Sequence, residues 1–442
     1  MFKKMLPAAL VLAITASLVP VPVAAEVTPN PVISRNCPAF TGDDPTLVTG
    51  ANDEFYYSSW NASAPDYLAY DLSGVPKENR RVIDAVWYNY SAYDIIGQFI
   101  NRNMEPSDYT IEINSAPGGK YPVDGWEVVE TVSGNTLSSR QHIINFEGYN
   151  WVRMCVTGTD ETEGGSIQLN LDIHDVSDGV TDSWIFFGDS ITAGGMTNWL
   201  GTGFATYINQ IDSNYLPIQE CGGIGGITST EGRDNIDRWL STCPAAYVSI
   251  AYGTNDAWGN WPGSQNYYEN MIYMIEAVLA AGKIPVLPKI PYSTNPDVGP
   301  YVPEYNAMID RIYEEYLQVI PGPDFYSYFE EHPEQLADGV HPDTDGYDVM
   351  RQMWAETMYE RVYTAETGET KPTEGTETIQ GDLNNDGEFS VADVILLQKW
   401  LLAVPDTHLD NWEAADFTED GKLNVFDLCL MKKALISSTT IE

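Results

Sequence analysis

The sequence predicts three folded parts: an all-β sandwich, an α/β domain with a parallel sheet, and a small duplicated helical module. Three observations indicate this organisation. The chain has 442 residues, which is about three times the length of a typical domain. Short alternating apolar runs in its first part give way to apolar strands that alternate with helical stretches. The C-terminal part contains one pattern twice, with Asp382 aligned to Asp416.

Charge and composition exclude several classes of protein. Lys plus Arg number 22 and Asp plus Glu number 64, so the formal net charge is −42. Such a charge repels nucleic acid and anionic membrane surfaces, and we expect neither as a partner. Hydrophobic residues make up 43% of the chain and aromatic residues 12%. That content is enough to bury real cores, so global disorder is excluded.

The N-terminus is typical of a secretory signal peptide. Lys3 and Lys4 precede an apolar stretch over residues 6–19, and small residues suited to cleavage follow it. We therefore expect a signal peptide over residues 1–25 and a secreted, extracellular protein. A transmembrane anchor is the alternative, but the apolar stretch is short and interrupted by proline, which disfavours it.

The cysteines give little information. Five cysteines are too few for a disulfide scaffold, and none has the C-x-x-C spacing of a zinc or redox site. Cys37 with Cys155 and Cys221 with Cys243 are the pairs that would stay within one predicted domain. Secretion permits these disulfides without requiring them, so the sequence leaves both pairings open.

The first predicted domain, over residues 26–180, is the β-sandwich. Alternating runs over residues 81–88, 109–113, 151–156 and 167–173 are separated by Gly, Asn, Asp and Pro. No window between them has a convincing helical period, which favours a sandwich of the jelly-roll kind. The order of these segments also resembles galactose-binding-like jelly rolls, in pattern only.

The second predicted domain, over residues 181–363, has an α/β pattern. Its apolar strands alternate with helical stretches, the strands over residues 184–187, 246–251 and 284–288 and the helices over residues 267–281, 303–320 and 344–362. Strands connected by crossover helices form a parallel sheet with helices on both faces. The active sites of such sheets lie at the carboxyl ends of the strands.

Polar motifs stand at those strand ends. G-D-S-I-T over residues 188–192 follows the first strand, and G-T-N-D over residues 253–256 follows another. D-G-V-H-P over residues 338–342 precedes the last helix. A Ser at a strand end, with an Asp and a His in one later loop, supplies a nucleophile, an orienting carboxylate and a general base.

The alternatives to a catalytic role are local. Ser190 could instead cap the following helix, Asn255 could form a turn, and His341 could be a surface loop residue. Among the five histidines, however, only His341 has a carboxylate three residues before it in a loop that precedes a helix of this domain. Asp189 beside the nucleophile would oppose a developing oxyanion, so we expect it to be structural.

In order and spacing these motifs resemble the four blocks of the SGNH or GDSL hydrolases: G-D-S-x-T, a Gly turn, G-x-N-D and D-x-x-H-P. The resemblance covers residues 181–363 and implies a flavodoxin-like three-layer fold. It also implies a serine esterase in which Ser190 is the nucleophile, His341 the base and Asp338 the residue that orients the imidazole. No cofactor is implied for this chemistry.

The same resemblance implies an oxyanion hole. Its donors would be the backbone N–H groups of Ser190 and Gly226 and the side-chain amide of Asn255. Gly226 is the best match in C-G-G-I-G-G-I over residues 221–227, because Ile227-Thr228 follows as a helix begins. The other glycines of that run leave this register open.

Substrate signals are weaker. Trp258, Trp261 and Tyr292 follow strand ends and could stack on sugar rings, or they could be ordinary core or rim aromatics. A jelly roll before an SGNH domain resembles some carbohydrate acetylesterases that act on xylan. In one such group a Trp stands directly before the catalytic His, where this chain has Val340.

A tether and a calcium-binding pattern complete the chain. Thr, Glu and Gly dominate the predicted linker over residues 364–380, which contains nothing that could form a core. Residues 381–442 then carry oxygen ligands at positions 1, 3, 5, 7 and 12 of two loops, as in EF-hand-type calcium sites. The predicted ligands are Asp382, Asn384, Asp386, Glu388 and Asp393 in the first loop, and Asp416, Thr418, Asp420, Lys422 and Asp427 in the second.

With Asp at position 12 and one helix after each loop, this module resembles a dockerin, which docks onto a cohesin domain of a cellulosomal scaffold. The resemblance implies two bound Ca²⁺ ions and a cohesin partner. Together the parts predict a secreted, cellulosome-attached esterase that deacetylates plant polysaccharide, with acetylxylan as the expected substrate. A noncatalytic carbohydrate-binding subunit and an SGNH lipase or thioesterase are the alternatives.

Overall fold

The computed structural model describes most of the chain, in segments. They are residues 27–42, 60–88, 106–137, 139–159, 165–196, 202–364, 380–384, 389–401, 409, 411–415, 417, 423 and 425–438. The predicted signal peptide and residues 365–379 of the predicted linker lie outside them. The chain divides into two compact units between Arg361 and Val362, and each unit is described by itself.

The first unit begins with a two-sheet β-sandwich. Its described strands are β1 (Ala39–Thr41), β2 (Trp60–Ser63), β3 (Asp66–Asp71), β4 (Val82–Tyr88), β5 (Pro106–Asn114), β6 (Glu127–Val132), β7 (Ser139–Asn145), β8 (Trp151–Thr159) and β9 (Ser166–Asp175). One sheet has the order β1-β3-β8-β5-β6 and the other β2-β9-β4-β7. Both sheets are antiparallel throughout.

The sandwich core follows from the alternation of the sequence. In β8, Val152 and Met154 are buried in the core that both sheets share, whereas Arg153 between them points outward. Two buried aromatic residues of this core are hydrogen-bonded, since the indole N–H of Trp87 donates to the hydroxyl of Tyr109 at 3.0 Å. The structure thus contains the predicted sandwich, and its jelly-roll connectivity stays a prediction.

The parallel sheet of the α/β domain is formed by β10 (Ser183–Gly188), β11 (Ile218–Gly223), β12 (Tyr247–Ala251), β13 (Ile284–Leu287) and β14 (Ile320–Pro321). Its order is β11-β10-β12-β13-β14, and all four pairs are parallel. Numbered from β10, this is the 2-1-3-4-5 order of flavodoxin-like folds, in which the chain changes direction between the first and third strands. That switch point lies between β10 and β12.

Helices cover both faces of this sheet. They are α1 (Ser190–Gly195), α2 (Phe204–Ile211), α3 (Ser229–Leu240), α4 (Thr254–Ala257), α5 (Ser264–Ala280), α6 (Val302–Glu315), α7 (Phe325–Glu331) and α8 (Thr344–Met358). Short irregular helices are Lys77–Arg80, Trp258–Asn260, Pro333–Gln335 and the π-helix Tyr359–Tyr363. Alternate residues of β10 serve the two faces. Ile185 belongs to the core with α3 and α5, while Phe186 contacts Trp354 of α8.

One predicted helix is too long. The stretch over residues 303–320 was expected to be helical throughout, but α6 ends at Glu315, and Ile320 pairs with Val286 in the sheet. Pro321 pushes Ile320, the residue before it, out of the α region toward an extended conformation, and α6 itself already stops at Tyr316, whose φ of −121° and ψ of 83° are not helical. The helix predicted over residues 344–362 is α-helical to Met358 and continues as the π-helix.

The sandwich and the α/β domain pack against each other within the first unit. Val86 and Tyr88 of β4 form one apolar cluster with Ile218 of β11. Beside it the hydroxyl of Ser139 donates to the buried carboxylate of Glu220 at 3.1 Å. The predicted boundary at residue 180 therefore lies in continuously packed structure.

Neither of the two disulfide pairings that the sequence left open is formed. Cys37, Cys155, Cys221 and Cys243 are all free thiols. Cys221 follows Glu220 in β11, and neighbouring residues of a strand face opposite sides of the sheet. The thiol of Cys221 lies near the carbonyl of Thr192 on one side, whereas the thiol of Cys243 contacts Glu220 on the other. The fifth cysteine lies at a position whose side chain is outside the described structure.

The second unit contains a pair of helices. These are α9 (Val391–Leu401) and α10 (Val425–Ser438), with a short 3-10 helix Trp412–Ala415 between them. Its small described core is formed by Leu383, Val394, Leu397, Leu409, Ala415, Leu428 and Met431. No helix in the described part of either unit is long and apolar enough to cross a membrane.

Candidate active site

The predicted nucleophile lies where a central strand turns sharply into a helix. β10 ends at Gly188 and α1 begins at Ser190. A Cβ on Gly188 would lie 2.1 Å from the hydroxyl oxygen of Thr192, so only glycine fits this turn. The carboxylate of Asp189 caps α1 by accepting from the backbone N–H of Ile191 at 2.9 Å. Ser190 is therefore not the cap, and its hydroxyl has another partner.

That partner is His341. The Oγ of Ser190 lies 2.8 Å from Nε2 of His341, and Nδ1 of the same ring lies 2.9 Å from Oδ2 of Asp338. A proton on Nδ1 that is donated to the carboxylate leaves Nε2 to accept from the serine hydroxyl. The three residues thus form one chain of hydrogen bonds across two distant parts of the sequence.

Asp338 is fixed by its own loop. Its Oδ1 accepts the backbone N–H groups of His341 at 2.7 Å and Val340 at 3.0 Å. Desolvation raises the pKa of Asp338, but the hydrogen bonds from the backbone and ring of His341 outweigh it and lower the pKa to about 2. Asp338 is consequently a carboxylate over the whole ordinary pH range.

Besides the backbone N–H of Ser190, the two other predicted oxyanion donors, Gly226 and Asn255, lie on segments that are hydrogen-bonded to each other. Gly226 has φ of +79°, whereas Gly222, Gly223 and Gly225 do not have a positive φ. Asn255 lies in α4 directly after β12, and its Nδ2 donates to the carbonyl of Ile227 at 2.9 Å. An amide nitrogen has two N–H groups, so one remains for a further acceptor.

The predicted substrate-binding aromatics differ in exposure. Trp258 and Trp261 are 45% and 77% exposed, on the short segment that follows α4. That segment is held in place because the N–H of Gly259 donates to the carbonyl of Asp297 at 2.8 Å. Tyr292 is half-buried and packs edge-on against Tyr326, with ring centroids 5.7 Å apart. Of the three predicted aromatics, Trp258 and Trp261 therefore present exposed ring surface.

Three carboxylates of the predicted calcium loops are buried in the second unit. Asp382 is 4% exposed, and Asp393 and Asp427 are 0% exposed. Asp393 accepts the backbone N–H groups of Leu383 at 2.9 Å and Ser390 at 2.8 Å. It thereby joins the beginning and end of the first predicted calcium loop.

This donor set fits Ca²⁺, a hard cation that prefers oxygen ligands. The other predicted ligands are Asn384, which is described, and Asp386, Glu388, Asp416, Thr418, Asp420 and Lys422, which lie outside the described residues. Within the described segments, no group of three or more His, Cys, Asp or Glu side chains could hold a metal ion. Both calcium loops therefore stay predictions.

Comparison with known protein families matches both regions. Residues 186–349 match the GDSL-like lipase/acylhydrolase family, and residues 380–436 match the type I dockerin domain. The chain carries a GDSL-like hydrolase domain and a C-terminal dockerin. The sequence resemblances to both were correct.

The individual proteins that follow are less than 30% identical to this chain. A multidomain esterase from Ruminococcus flavefaciens is 29% identical over 239 residues, which cover 50% of this chain and only 30% of that protein. The esterase EstA from Pseudoalteromonas sp. has 18% identity and a TM-score of 0.36, over 41% of this chain and 98% of that one. The acetylxylan esterase Axe2 from Geobacillus stearothermophilus has 23% identity and a TM-score of 0.33, over 42% and 95%. These structural likenesses are too low to carry an argument about substrate.

Sequence reasoning missed one group of residues in the hydrolase domain. Asp256 is completely buried, and its carboxylate accepts both the backbone N–H and the hydroxyl of Ser229. Asn270 donates to the same hydroxyl at 3.0 Å. Asp256 is the last residue of the G-T-N-D motif, which was the one available signal, but the motif alone does not reveal a partner 27 residues earlier.

Proposed function

We propose that this chain is a secreted carbohydrate esterase that removes O-acetyl groups from plant cell-wall polysaccharide through an acyl-enzyme. The observation that carries the proposal is the hydrogen-bonded chain from Ser190 through His341 to Asp338. This arrangement of nucleophile, base and orienting carboxylate is suited to acyl transfer.

In the first half of the reaction, the Oγ of Ser190 attacks the carbonyl carbon of the acetyl ester. Nε2 of His341 takes the hydroxyl proton, and the resulting imidazolium is stabilised by Asp338. The carbonyl oxygen becomes an oxyanion that accepts from the N–H groups of Ser190, Gly226 and Asn255. His341 then gives its proton to the sugar oxygen as the ester bond breaks, so that the sugar leaves with a free hydroxyl and the acetyl group stays on Ser190.

In the second half, water takes the place of the sugar hydroxyl. His341 removes a proton from the water, which attacks the acetyl-serine carbonyl, and the oxyanion forms against the same three donors. When the intermediate collapses, the proton returns to the Oγ of Ser190 and acetate leaves. The whole cycle uses side chains and backbone groups of the hydrolase domain and requires no cofactor.

The proposed substrate is a largely neutral, O-acetylated hemicellulose such as acetylxylan. Two exposed indoles, Trp258 and Trp261, lie on the segment that follows Asn255 and can stack against sugar rings. The net charge of −42 disfavours a polyanionic chain such as pectin. The dockerin adds a context, since it implies a cohesin partner on a scaffold of cell-wall enzymes.

The proposed location is extracellular and cellulosome-bound. The signal peptide over residues 1–25 would export the chain, and the dockerin would attach it to a scaffold. In the dockerin, Asp382, Asp393 and Asp427 would be among the ligands of two Ca²⁺ ions, which would supply positive charge to buried carboxylates.

Acetate release from a panel of acetylated polysaccharides tests the proposal, with Ser190→Ala as the blank. We expect faster release from acetylxylan than from acetylated pectin, and poor hydrolysis of long-chain acyl esters. A preference for long chains would indicate a lipase instead. An inactive wild-type protein that still binds polysaccharide would indicate a noncatalytic subunit.

A further inference from the structure

The loops that carry the two distal oxyanion donors are joined by a buried hydrogen-bond network. Asp256 is 0% exposed, Ser229 is 0% exposed and Asn270 is 3% exposed. Oδ2 of Asp256 lies 2.9 Å from the backbone nitrogen of Ser229, and its Oδ1 accepts the Ser229 hydroxyl. Ser229 is the first residue of α3, three positions after Gly226.

This contact supplements the cap of α3. The helix already has a complete capping box across its first turn. The side chain of Thr228 accepts from the backbone of that turn, and the side chain of Glu231 accepts from the backbone N–H of Thr228. Asp256 comes from a different loop and binds a donor that the capping box does not use. An ionisable group buried without solvent is costly to keep, so its position between two loops calls for a further role.

Asn255 and Asp256 are neighbours in sequence, and both hold the same connection between β11 and α3. Asn255 donates to the carbonyl of Ile227, and Asp256 accepts from Ser229. Two bonds to different residues of the connection restrain its position relative to Asn255 more than either bond does alone.

Other side chains hold the same loop from its far side. The hydroxyl of Tyr305 donates to the carbonyl of Asp256 at 2.8 Å, and the hydroxyl of Tyr267 donates to the carbonyl of Tyr252 at 3.0 Å. The guanidinium of Arg233 donates to Oδ1 of Asn270 at 2.9 Å. These bonds fix the backbone of the loop that carries Asp256. The carboxylate of Asp256 then binds this fixed loop to the connection that carries Gly226.

We propose that Asp256 is a positioning residue of the oxyanion hole, which fixes the distance between the Gly226 and Asn255 donors by holding Ser229. The proposal rests on the proposed function, because it assumes that these donors stabilise an oxyanion. Misplacement of reacting groups by about 1 Å can cost on the order of 100-fold in rate.

The test is the kinetics of aryl-acetate hydrolysis by the full chain carrying Asp256→Asn. The amide keeps the size of the side chain but loses one of the two acceptor oxygens. We expect kcat to fall about 10- to 100-fold with KM changed less than about threefold, because the loss is confined to the transition state. Ser229→Ala keeps the N–H donor and removes the hydroxyl, so it should lose about 3- to 10-fold.

A double-mutant cycle separates positioning from general destabilisation. In an Asn255→Ala background, Asp256→Asn should cost at most about threefold, because the donor that it positions is already gone. Fully additive losses would overturn the proposal, and so would wild-type kcat in both Asp256→Asn and Ser229→Ala. If Asp256→Asn does not fold, the same cycle with Ser229→Ala decides the matter.

Two further variants provide controls. Asp172→Asn alters another buried carboxylate of the same unit, one that accepts from the hydroxyl of Tyr88 on the sandwich side. Its kcat should stay within about twofold of wild type, as expected for a change away from the reacting groups. Ser190→Ala distinguishes the two hypotheses. Full activity in that variant would refute the proposed function. If Ser190→Ala is inactive but the loss in Asp256→Asn is additive with that in Asn255→Ala, only the positioning role is refuted.

Discussion

The hydrolase domain and the dockerin both bury carboxylates, but they differ in what surrounds them. In the hydrolase domain, Asp189 and Asp256 accept from N–H and O–H groups of the protein, and burial raises their pKa to about 6 and about 7. In the dockerin, Asp393 and Asp427 are just as buried beside a much smaller core. Asp393 also accepts backbone N–H groups, so the two regions differ in the size of the core rather than in the presence of protein donors, and we propose that the small module depends in addition on a bound cation.

The largest expected effect breaks the hydrolase domain alone. Ser190→Ala should lower kcat for an aryl acetate by about 10⁴-fold or more, because no other group can form the acyl-enzyme. Steady-state kinetics measures this, while cohesin binding should be unchanged. Ser183→Ala is the matched control at the opposite end of the same strand, where the hydroxyl donates to Gln141 at 2.9 Å. Near wild-type turnover in Ser190→Ala would show that Ser190 is not the nucleophile.

The next effect breaks the dockerin alone. Removal of Ca²⁺ with a chelator should abolish cohesin binding, because the buried carboxylates of the two loops would then repel one another and the module would unfold. Isothermal titration against a cohesin and far-ultraviolet circular dichroism of the full chain measure this. Hydrolysis of an aryl acetate should continue at the same rate in the same sample.

Asp393→Ala sharpens that experiment, because it removes the residue that joins the ends of the first loop. It should weaken cohesin binding even in excess Ca²⁺ and leave kcat unchanged. A loss of hydrolysis on chelation would contradict the separation of the two regions and would point to a metal in the first unit.

A smaller effect concerns the oxyanion hole. Asn255→Ala should lower kcat about 100- to 1000-fold with less effect on KM, as expected for a donor that acts in the transition state. Asn209→Ala is the control, since its amide also donates to a backbone carbonyl, that of Tyr215 at 2.7 Å, but on the helix α2. Equal kinetics of the two variants would remove Asn255 from the proposed oxyanion hole.

The smallest effect tests a buried carboxylate of the sandwich. Both oxygens of Asp84, in β4, have no partner of ordinary hydrogen-bond geometry in the described structure, although the backbone N–H of His142 is near. Desolvation and the charge of Glu220 raise its pKa from 3.8 to about 8. Because the folded-state pKa is the higher one, the free energy of unfolding falls as the pH rises between these values.

Asp84→Asn removes this titration. Its melting temperature should exceed that of wild type by several degrees at pH 9, and the difference should shrink toward pH 5. Thermal unfolding of the first unit, followed by tryptophan fluorescence across that range, measures the change. A difference that is constant with pH would mean that Asp84 is not the titrating group.

Much of the site could be predicted from sequence because its signals are local. Ser190 follows an apolar strand directly, and Asp338 and His341 share one short loop, so each motif carries its own structural context. The repeated loops of the dockerin are local in the same sense. The comparisons agree with the predicted families, with a GDSL-like match over residues 186–349 and a dockerin match over residues 380–436.

The sequence by itself therefore determined the β, α/β and dockerin character of the three regions, the strands β10, β12 and β13, and which side chains follow them. Only the tertiary structure decided that the chain leaves α6 at Glu315 to add β14 to the sheet, that Cys221 and Cys243 face different partners, and that Asp256 reaches Ser229. These outcomes depend on contacts between residues far apart in sequence. Local sequence patterns indicate the period of a helix or strand and the residues at its end. They do not indicate which buried donor binds which acceptor once the helices and strands pack.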